Sequence, residues 1–267
     1  MSLQMRVAVI GAGVMGEALI ASLISSGTNA ELITISEKRI ERCEELISAY
    51  GIKAADLAAN TAQADIVLIV VKPQDMAGVL EEISTSLNSQ AVIISFAAGK
   101  RIEFISKHVG SNNPVIRVMP NTATIVGSGM AAISFGAGVN DAQKKFVTHF
   151  LASSGKVIEV SEDLQDAVTA TSGSGPAYFF RFVEAMVAGA QELGLSIDDA
   201  TILTNQTIIG AAKLLETSGK SATTLRENVT SPNGTTAAGL ASFESDGLST
   251  IVAKAMKAAR DRSQELA

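Results

Sequence analysis

Residues 7–24 read VAVIGAGVMGEALIASLI, and no other stretch restricts the fold as tightly. Its length and apolarity overlap those of a membrane span. Three glycines and Glu17 argue against that use. A buried strand over 6–10, a glycine turn and a helix over 15–26 explain the run better, with Gly27 just past the helix end. The turn is G-x-G-x-x-G, a pattern that carries weight only when a strand precedes it and a helix follows, as here. Its glycines let backbone approach a pyrophosphate, whose charge then rests on the N–H groups that open the helix. The competing explanation is a glycine turn that packs helix on strand and holds nothing. The context favours a nucleotide.

Strand and helix patterns then alternate. Residues 31–35 read as strand and 39–50 as helix, with Gly51 after it. Residues 66–71 are an unbroken apolar run, as expected of a strand covered on both faces. A helix over 75–87 and strands over 91–96 and 115–119 follow. Late strands over 130–135 and 156–160 flank a helix over 141–152. This order predicts an α/β fold with a mostly parallel, doubly wound, Rossmann-like sheet. After Ser161 the strand signals stop. Ser161-Glu162-Asp163 reads as a helix start, a capping hydroxyl followed by acids. Helical patterning continues to Gly194, interrupted by SGSGP at 172–176, where Pro176 kinks or restarts the helix. Ser196, with Asp199 three residues on, opens a helix to about 217; two more cover about 236–244 and 248–266. Two domains are expected: a dinucleotide-binding domain over 1–161 and an all-helical domain over 162–267.

Composition narrows the chemistry. The 267 residues are 47% hydrophobic, ample for such cores. A net charge of −6 with no basic stripe excludes a nucleic-acid binder. The single cysteine, Cys43, forms no intrachain disulfide, which fits a reducing cytoplasm. Nothing in the sequence pairs His108 or His149 with an acid or a nucleophile, and no metal-ligand pattern is present.

Two regions remain as candidate sites. Ser36-Glu37-Lys38-Arg39 ends the second strand about 20 residues past the third glycine, where a dinucleotide's ribose is read. An acid there favours NAD(H); a hydroxyl with Lys38 and Arg39 favours NADP(H). Both are present, and the basic pair tips the reading towards NADP(H), with NAD(H) as the alternative. VVKPQD at 70–75 and AAGK at 97–100 leave two further strands at the same sheet edge. In the helical domain, TSPNGTTAAG at 230–239 combines a Pro-Asn-Gly turn with the hydroxyls of Ser231, Thr235 and Thr236 at a helix start. It could bind a carboxylate through backbone donors, or be an elaborate cap.

IGAGVMG, VVKP, SFAAG, RVMPNT, SGSGPAY, LRENVTSPNGTTAAGL and a closing RDRSQEL occur in this order along nearly the whole chain. In these motifs and their spacing the sequence resembles the pyrroline-5-carboxylate reductase family. The resemblance implies reduction of the C=N bond of pyrroline-5-carboxylate to L-proline, the last step of proline biosynthesis, with a hydride from NADPH or NADH. It implies cofactor contacts from Gly11, Ala12, Gly13, Val14, Met15 and Gly16, from Ser36, and from Val70, Val71, Lys72, Pro73, Ala97, Ala98 and Gly99, to which the reading of the ribose edge adds Lys38 and Arg39. It implies a substrate carboxylate held at Gly234, Thr235 and Thr236, a hydrogen bond from Thr236 to the imine nitrogen as the catalytic contact, and support from Asn228 and Ser231. It also implies a cytoplasmic homodimer joined through the helical domain, with rings of dimers in some members, and no membrane partner. Asn233 stands where the family often has Gly, Ala123 where Pro is usual, and Glu37 where NADP-preferring members carry neutral or basic groups. The alternatives are a related imine or β-hydroxyacid reductase, or a nucleotide-binding sensor without catalysis.

Overall fold

A computed structural model describes residues 5–110 and 113–266. They form two compact units: the described residues up to Ser174 together with those from Ala259 on, and Gly175–Ala258.

The first unit is built on an eight-stranded sheet. Its elements run β1 (Val7–Ile10), α1 (Val14–Ser25), β2 (Ile33–Ser36), α2 (Ile40–Tyr50), β3 (Lys53–Ala54), α3 (Leu57–Gln63), β4 (Ile66–Ile69), α4 (Met76–Ser84), β5 (Val92–Ser95), α5 (Ile102–Val109), β6 (Val115–Met119), β7 (Gly129–Phe135), α6 (Asp141–Ala152) and β8 (Gly155–Glu159). The strand order is β3-β2-β1-β4-β5-β6-β7-β8, parallel throughout except where β6 meets β7. The chain reverses its direction of travel across the sheet between β1 and β4, the switch point where ligands bind beyond the strand ends. Successive residues feed opposite faces, as a strand requires. Val7 and Val9 join Leu19, Leu23, Leu46 and Phe150 on one side. Ala8 and Ile10 join Val67, Met76, Leu80 and Ile105 on the other. Each such fully buried large side chain contributes about 1.5–3 kcal/mol. This two-sided core explains the unbroken apolar strands.

Three segments to which the sequence patterns assign no element are ordered. β3 is two exposed residues on the sheet edge, too short to show alternation. α3 has seven residues and starts at Asp56, whose carboxylate accepts the Ala59 N–H at 2.8 Å. α5 ends at Gly110 in the left-handed region. The helix expected over 75–87 is shorter, because Pro73–Asp75 forms a 3₁₀ turn before Met76.

The start at Ser161 differs in detail from expectation. Helical structure does begin there, but as a 3₁₀ turn over Glu162–Leu164 with no side-chain cap from Ser161. The acids serve elsewhere: Glu162 accepts the Ile102 N–H at 2.6 Å, and Asp163 pairs with Arg101. A short helix, α7 (Gln165–Val168), passes into a π-helical turn over Thr169–Gly173. The compact units therefore part at 174/175, beyond the point near 161 where strand patterning ends. The reason is packing: Gln165 is fully buried and donates to the Ala132 carbonyl and the Ser134 hydroxyl on β7.

The second unit is helical: α8 (Gly175–Glu192), α9 (Ile197–Thr217), α10 (Ala222–Asn228), α11 (Thr235–Ser245) and most of α12 (Leu248–Glu265). Pro176 is tolerated in the first turn of α8, where its missing N–H breaks no helical bond. Ser196 caps α9 through the Asp199 N–H at 3.1 Å, as its sequence suggested. Among the described residues of this unit, Ala200 is the only buried apolar side chain. Phe180, Ile202 and Ile209 are each more than 60% exposed.

Candidate functional site

The glycine turn between β1 and α1 gives each glycine a different job. Gly11 has φ +89°, and a Cβ there would lie 2.8 Å from the Val70 carbonyl oxygen. At Gly16 a Cβ would lie 2.3 Å from the Gly11 carbonyl oxygen. Both are therefore demanded by packing. Gly13 has ordinary backbone and nothing within 4 Å of the position a Cβ would take. Its lack of a side chain leaves space above the helix start. No side chain caps α1, and the first helical bond runs from the Glu17 N–H to the Gly13 carbonyl. The N–H groups of Val14, Met15 and Gly16 precede it and face that space without helical acceptors. A strand-end turn with these donors, a positive helix end and room at Gly13 fits a dinucleotide pyrophosphate.

Ala12 is held by side chains on both sides of its residue. Its N–H donates to Glu37 at 3.1 Å, and its carbonyl accepts from Arg42 Nε at 3.0 Å. Arg42 also pairs with Glu17, to which Tyr50 donates at 3.1 Å. Hydrogen bonding from Arg42 first, then from Tyr50, holds the Glu17 carboxyl below its ordinary range against the opposing effect of burial. For Glu37 burial pushes upward. The hydrogen bonds from Arg39 and from the Ala12 N–H outweigh it, so the carboxylate stays charged.

At the ribose edge, Ser36 and Arg39 are both committed. The Ser36 hydroxyl donates to the Ala55 carbonyl at 3.1 Å and accepts from Asn60 Nδ2 at 2.9 Å. Arg39 pairs with Glu37 at 3.0 Å. Lys38 is exposed.

Next to the turn, a groove of about 320 Å³ is lined by Met15, residues 70–72, Phe96, residues 119–122 and Gly173. It brings together Met15, Val70, Val71 and Lys72, four of the expected cofactor-binding residues. Pro73, Ala97 and Ala98 lie outside its lining. Gly99 has a packing reason of its own: a Cβ there would lie 2.8 Å from the Ser263 carbonyl oxygen, in the last turn of α12. Ser263 is buried and donates to Asp166 at 2.7 Å, which lies 3.5 Å from the buried Arg117. The groove also contains Met119, Pro120, Asn121 and Thr122, which residue-by-residue reading had not placed there. The signal was present: RVMPNT leaves its strand at the same sheet edge as VVKP. Of SGSGP, Gly173 reaches this groove, since a Cβ there would meet the Met119 methyl carbon at 2.4 Å.

The hydroxyl loop lies in the helical unit. Asn233 has φ +60°, a conformation that Asn and Gly adopt most readily. Gly234 is the N-cap residue of α11, with its N–H on the Ser231 carbonyl at 3.0 Å. A Cβ at Gly234 would lie 2.4 Å from Ser231 Oγ. No side chain caps this helix. Thr235 and Thr236 are exposed, and their hydroxyls cap nothing. The elaborate-cap explanation therefore fails. Asn228, the last residue of α10, is exposed too.

The comparisons with known proteins decide the family. Residues 162–266 match the family model "Pyrroline-5-carboxylate reductase dimerisation", and residues 6–99 match "NADP oxidoreductase coenzyme F420-dependent". A pyrroline-5-carboxylate reductase of Corynebacterium melassecola is 39% identical over 97% of this chain and 98% of its own length. The chain belongs to the pyrroline-5-carboxylate reductase family. Among solved structures, the Coxiella burnetii reductase matches with a TM-score of 0.91 at 32% identity, covering 99% of both chains. The Plasmodium falciparum reductase, solved with NADP bound, matches at 0.87 and 30% identity over 98% of both. As a family member the chain is an oxidoreductase. These full-length likenesses do not favour a β-hydroxyacid reductase or a non-catalytic sensor. Among the described residues no helix is long and apolar enough to cross a membrane.

Proposed function

We propose that this chain reduces pyrroline-5-carboxylate to L-proline with NAD(P)H, acting as a homodimer. The observation that carries the reading is the loop over 231–236. It offers free N–H groups at the start of α11 and hydroxyls that cap nothing, in a chain that matches the family from end to end. A helix start of this kind binds a carboxylate. On this reading the N–H groups of Thr235 and Thr236 take the substrate carboxylate, while the Gly234 N–H stays on the Ser231 carbonyl and shapes the turn. The Thr236 hydroxyl hydrogen-bonds the imine nitrogen, and Asn228 and Ser231 hold the loop.

When bound, the dihydronicotinamide supplies the hydride. The groove beside Met15, Val70 and Met119 offers apolar walls for a flat ring, and the 11–16 turn takes the pyrophosphate. The iminium carbon is already electrophilic, so alignment of donor and acceptor carbons supplies much of the rate. This explains why no acid–base pair stands out among the candidate residues.

The helical unit supports the dimer. With Ala200 its only buried apolar side chain, it has no adequate core of its own. A second copy covering Phe180, Ile202 and Ile209 would supply one. Assembly of such dimers into rings and a cytoplasmic location rest on the family resemblance. Thr236→Ala tests the loop: turnover should fall by about 10²-fold, with nucleotide affinity unchanged. Equal loss of both would remove Thr236 from the substrate site.

A further inference from the structure

We propose that Glu37 makes this chain an NADH-preferring reductase by reading the ribose 2′-hydroxyl and excluding a 2′-phosphate. The inference rests on the nucleotide-binding reading of the 11–16 turn.

Four observations carry it. Glu37 directly follows β2, 21 residues past Gly16, the position from which an acid reaches the ribose hydroxyls in this fold. Its carboxylate is anchored at the turn by the Ala12 N–H at 3.1 Å, and its side chain is only 11% exposed. It therefore cannot swing into solvent without leaving a turn N–H unpaired. Ser36, the hydroxyl at this edge of the turn, is spent on Ala55 and Asn60. Arg39, the nearest cation, already neutralises Glu37, binding it through its backbone N–H at 3.1 Å and through Nε at 3.0 Å.

The Glu37 oxygens are not equally engaged. Oε1 takes the two shorter Arg39 bonds, while Arg39 Nη2 reaches Oε2 at 3.4 Å. That long contact is the one a ribose hydroxyl would replace, leaving Ala12 and the remaining Arg39 bonds in place. A 2′-phosphate would instead set about two negative charges against a fixed carboxylate. Only the exposed Lys38 would be left to offset them, unless Arg39 gave up its pair. NADP(H), expected from Lys38 and Arg39 in the sequence, becomes the weaker ligand on this view.

The test is direct titration of NADH and NADPH by nucleotide fluorescence, without substrate, on the full chain and two variants. The wild type should bind NADH about tenfold or more tightly, about 1.4 kcal/mol. Raising salt should narrow the gap by screening the repulsion. Glu37→Gln keeps the side-chain length and an acceptor for Ala12 but removes the charge; NADPH affinity should rise about tenfold. Glu37→Ser should shift the preference the same way, with its melting temperature checked in parallel. Equal binding of both nucleotides by the wild type, or tighter NADPH, would overturn the proposal. So would unaltered selectivity in a folded Glu37→Gln protein. Binding of neither nucleotide would instead overturn the reading of the turn itself, and the proposal with it.

Discussion

Replacing Gly13 by alanine separates a glycine kept for a ligand from one kept for the fold. A methyl group at Gly13 meets no protein atom within 4 Å, and its φ of −68° suits any residue. The fold should therefore barely respond. Lower chain entropy in the unfolded state favours the variant by about 0.4–1 kcal/mol. Alanine's poorer performance as an N-cap opposes it by a similar amount. The new methyl fills the space into which the α1 N–H groups point. Crowding a filled site costs about 1–3 kcal/mol, which corresponds to a nucleotide Kd raised about 5- to 150-fold. Gly16→Ala should behave in the opposite way. Its methyl would sit 2.3 Å from the Gly11 carbonyl oxygen, on backbone fixed by the Gly11 N–H bond to Ser36. Stability should fall by at least 1–3 kcal/mol, at about 2–4 °C in melting temperature per kcal/mol for a unit of this size. Thermal melts and fluorescence titration with NADH, run on both variants, supply the comparison. A Gly13→Ala protein that melts and binds like wild type would refute the claim that this space belongs to a pyrophosphate.

Other predictions are more local. Ile209→Asp places a charge on an exposed apolar surface of the helical unit; sedimentation should show a dimeric wild type and a variant of half its mass, and an unchanged mass would exclude Ile209 from the interface. Glu17 and Glu37 both have carboxyls held below the ordinary value of 4.5. Their contribution to stability is therefore complete above about that pH and is lost as pH falls through the depressed values. Melting temperature measured from pH 7 to pH 3 should drop less steeply in Glu17→Gln than in wild type; parallel curves would contradict the Arg42–Glu17 pairing. Arg117→Met removes a buried cation that faces Glu162 and Asp166, leaving two acids with one fewer partner. A loss of about 3–5 kcal/mol is expected, read as a lower denaturant midpoint, and a neutral result would show that the acids re-pair elsewhere.

Much of this architecture is legible in the sequence because strand burial and helix capping leave local marks. The apolar run over 66–71, of which 66–69 is strand, the Gly51 stop and the Ser196–Asp199 start all correspond to observed structure. β3 and α3 were not legible: two exposed edge residues and seven helical ones carry too little pattern. The compact units part at 174/175 although helix patterning begins at 162, because Gln165 still packs under β7. At the site, G-x-G-x-x-G announced the turn but not the separate roles of its glycines. Those depend on distances to Val70 and Gly11 across the fold. The sequence also showed Ser36, Glu37, Lys38 and Arg39 side by side without showing which were free. Asn60 and Ala55 occupy Ser36 from 19 to 24 residues away, a pairing that no local pattern encodes. The loop at 230–239 was conspicuous, yet only the structure shows that Gly234, and not a threonine, occupies the N-cap.

The central claim is tested most directly by following NADH and NADPH absorbance when pyrroline-5-carboxylate is added to purified protein, with proline assayed at the end. The account predicts substrate-dependent loss of absorbance matched mole for mole by proline, and faster at low concentration with NADH. Nucleotide that binds but is not oxidised on addition of this substrate would contradict it.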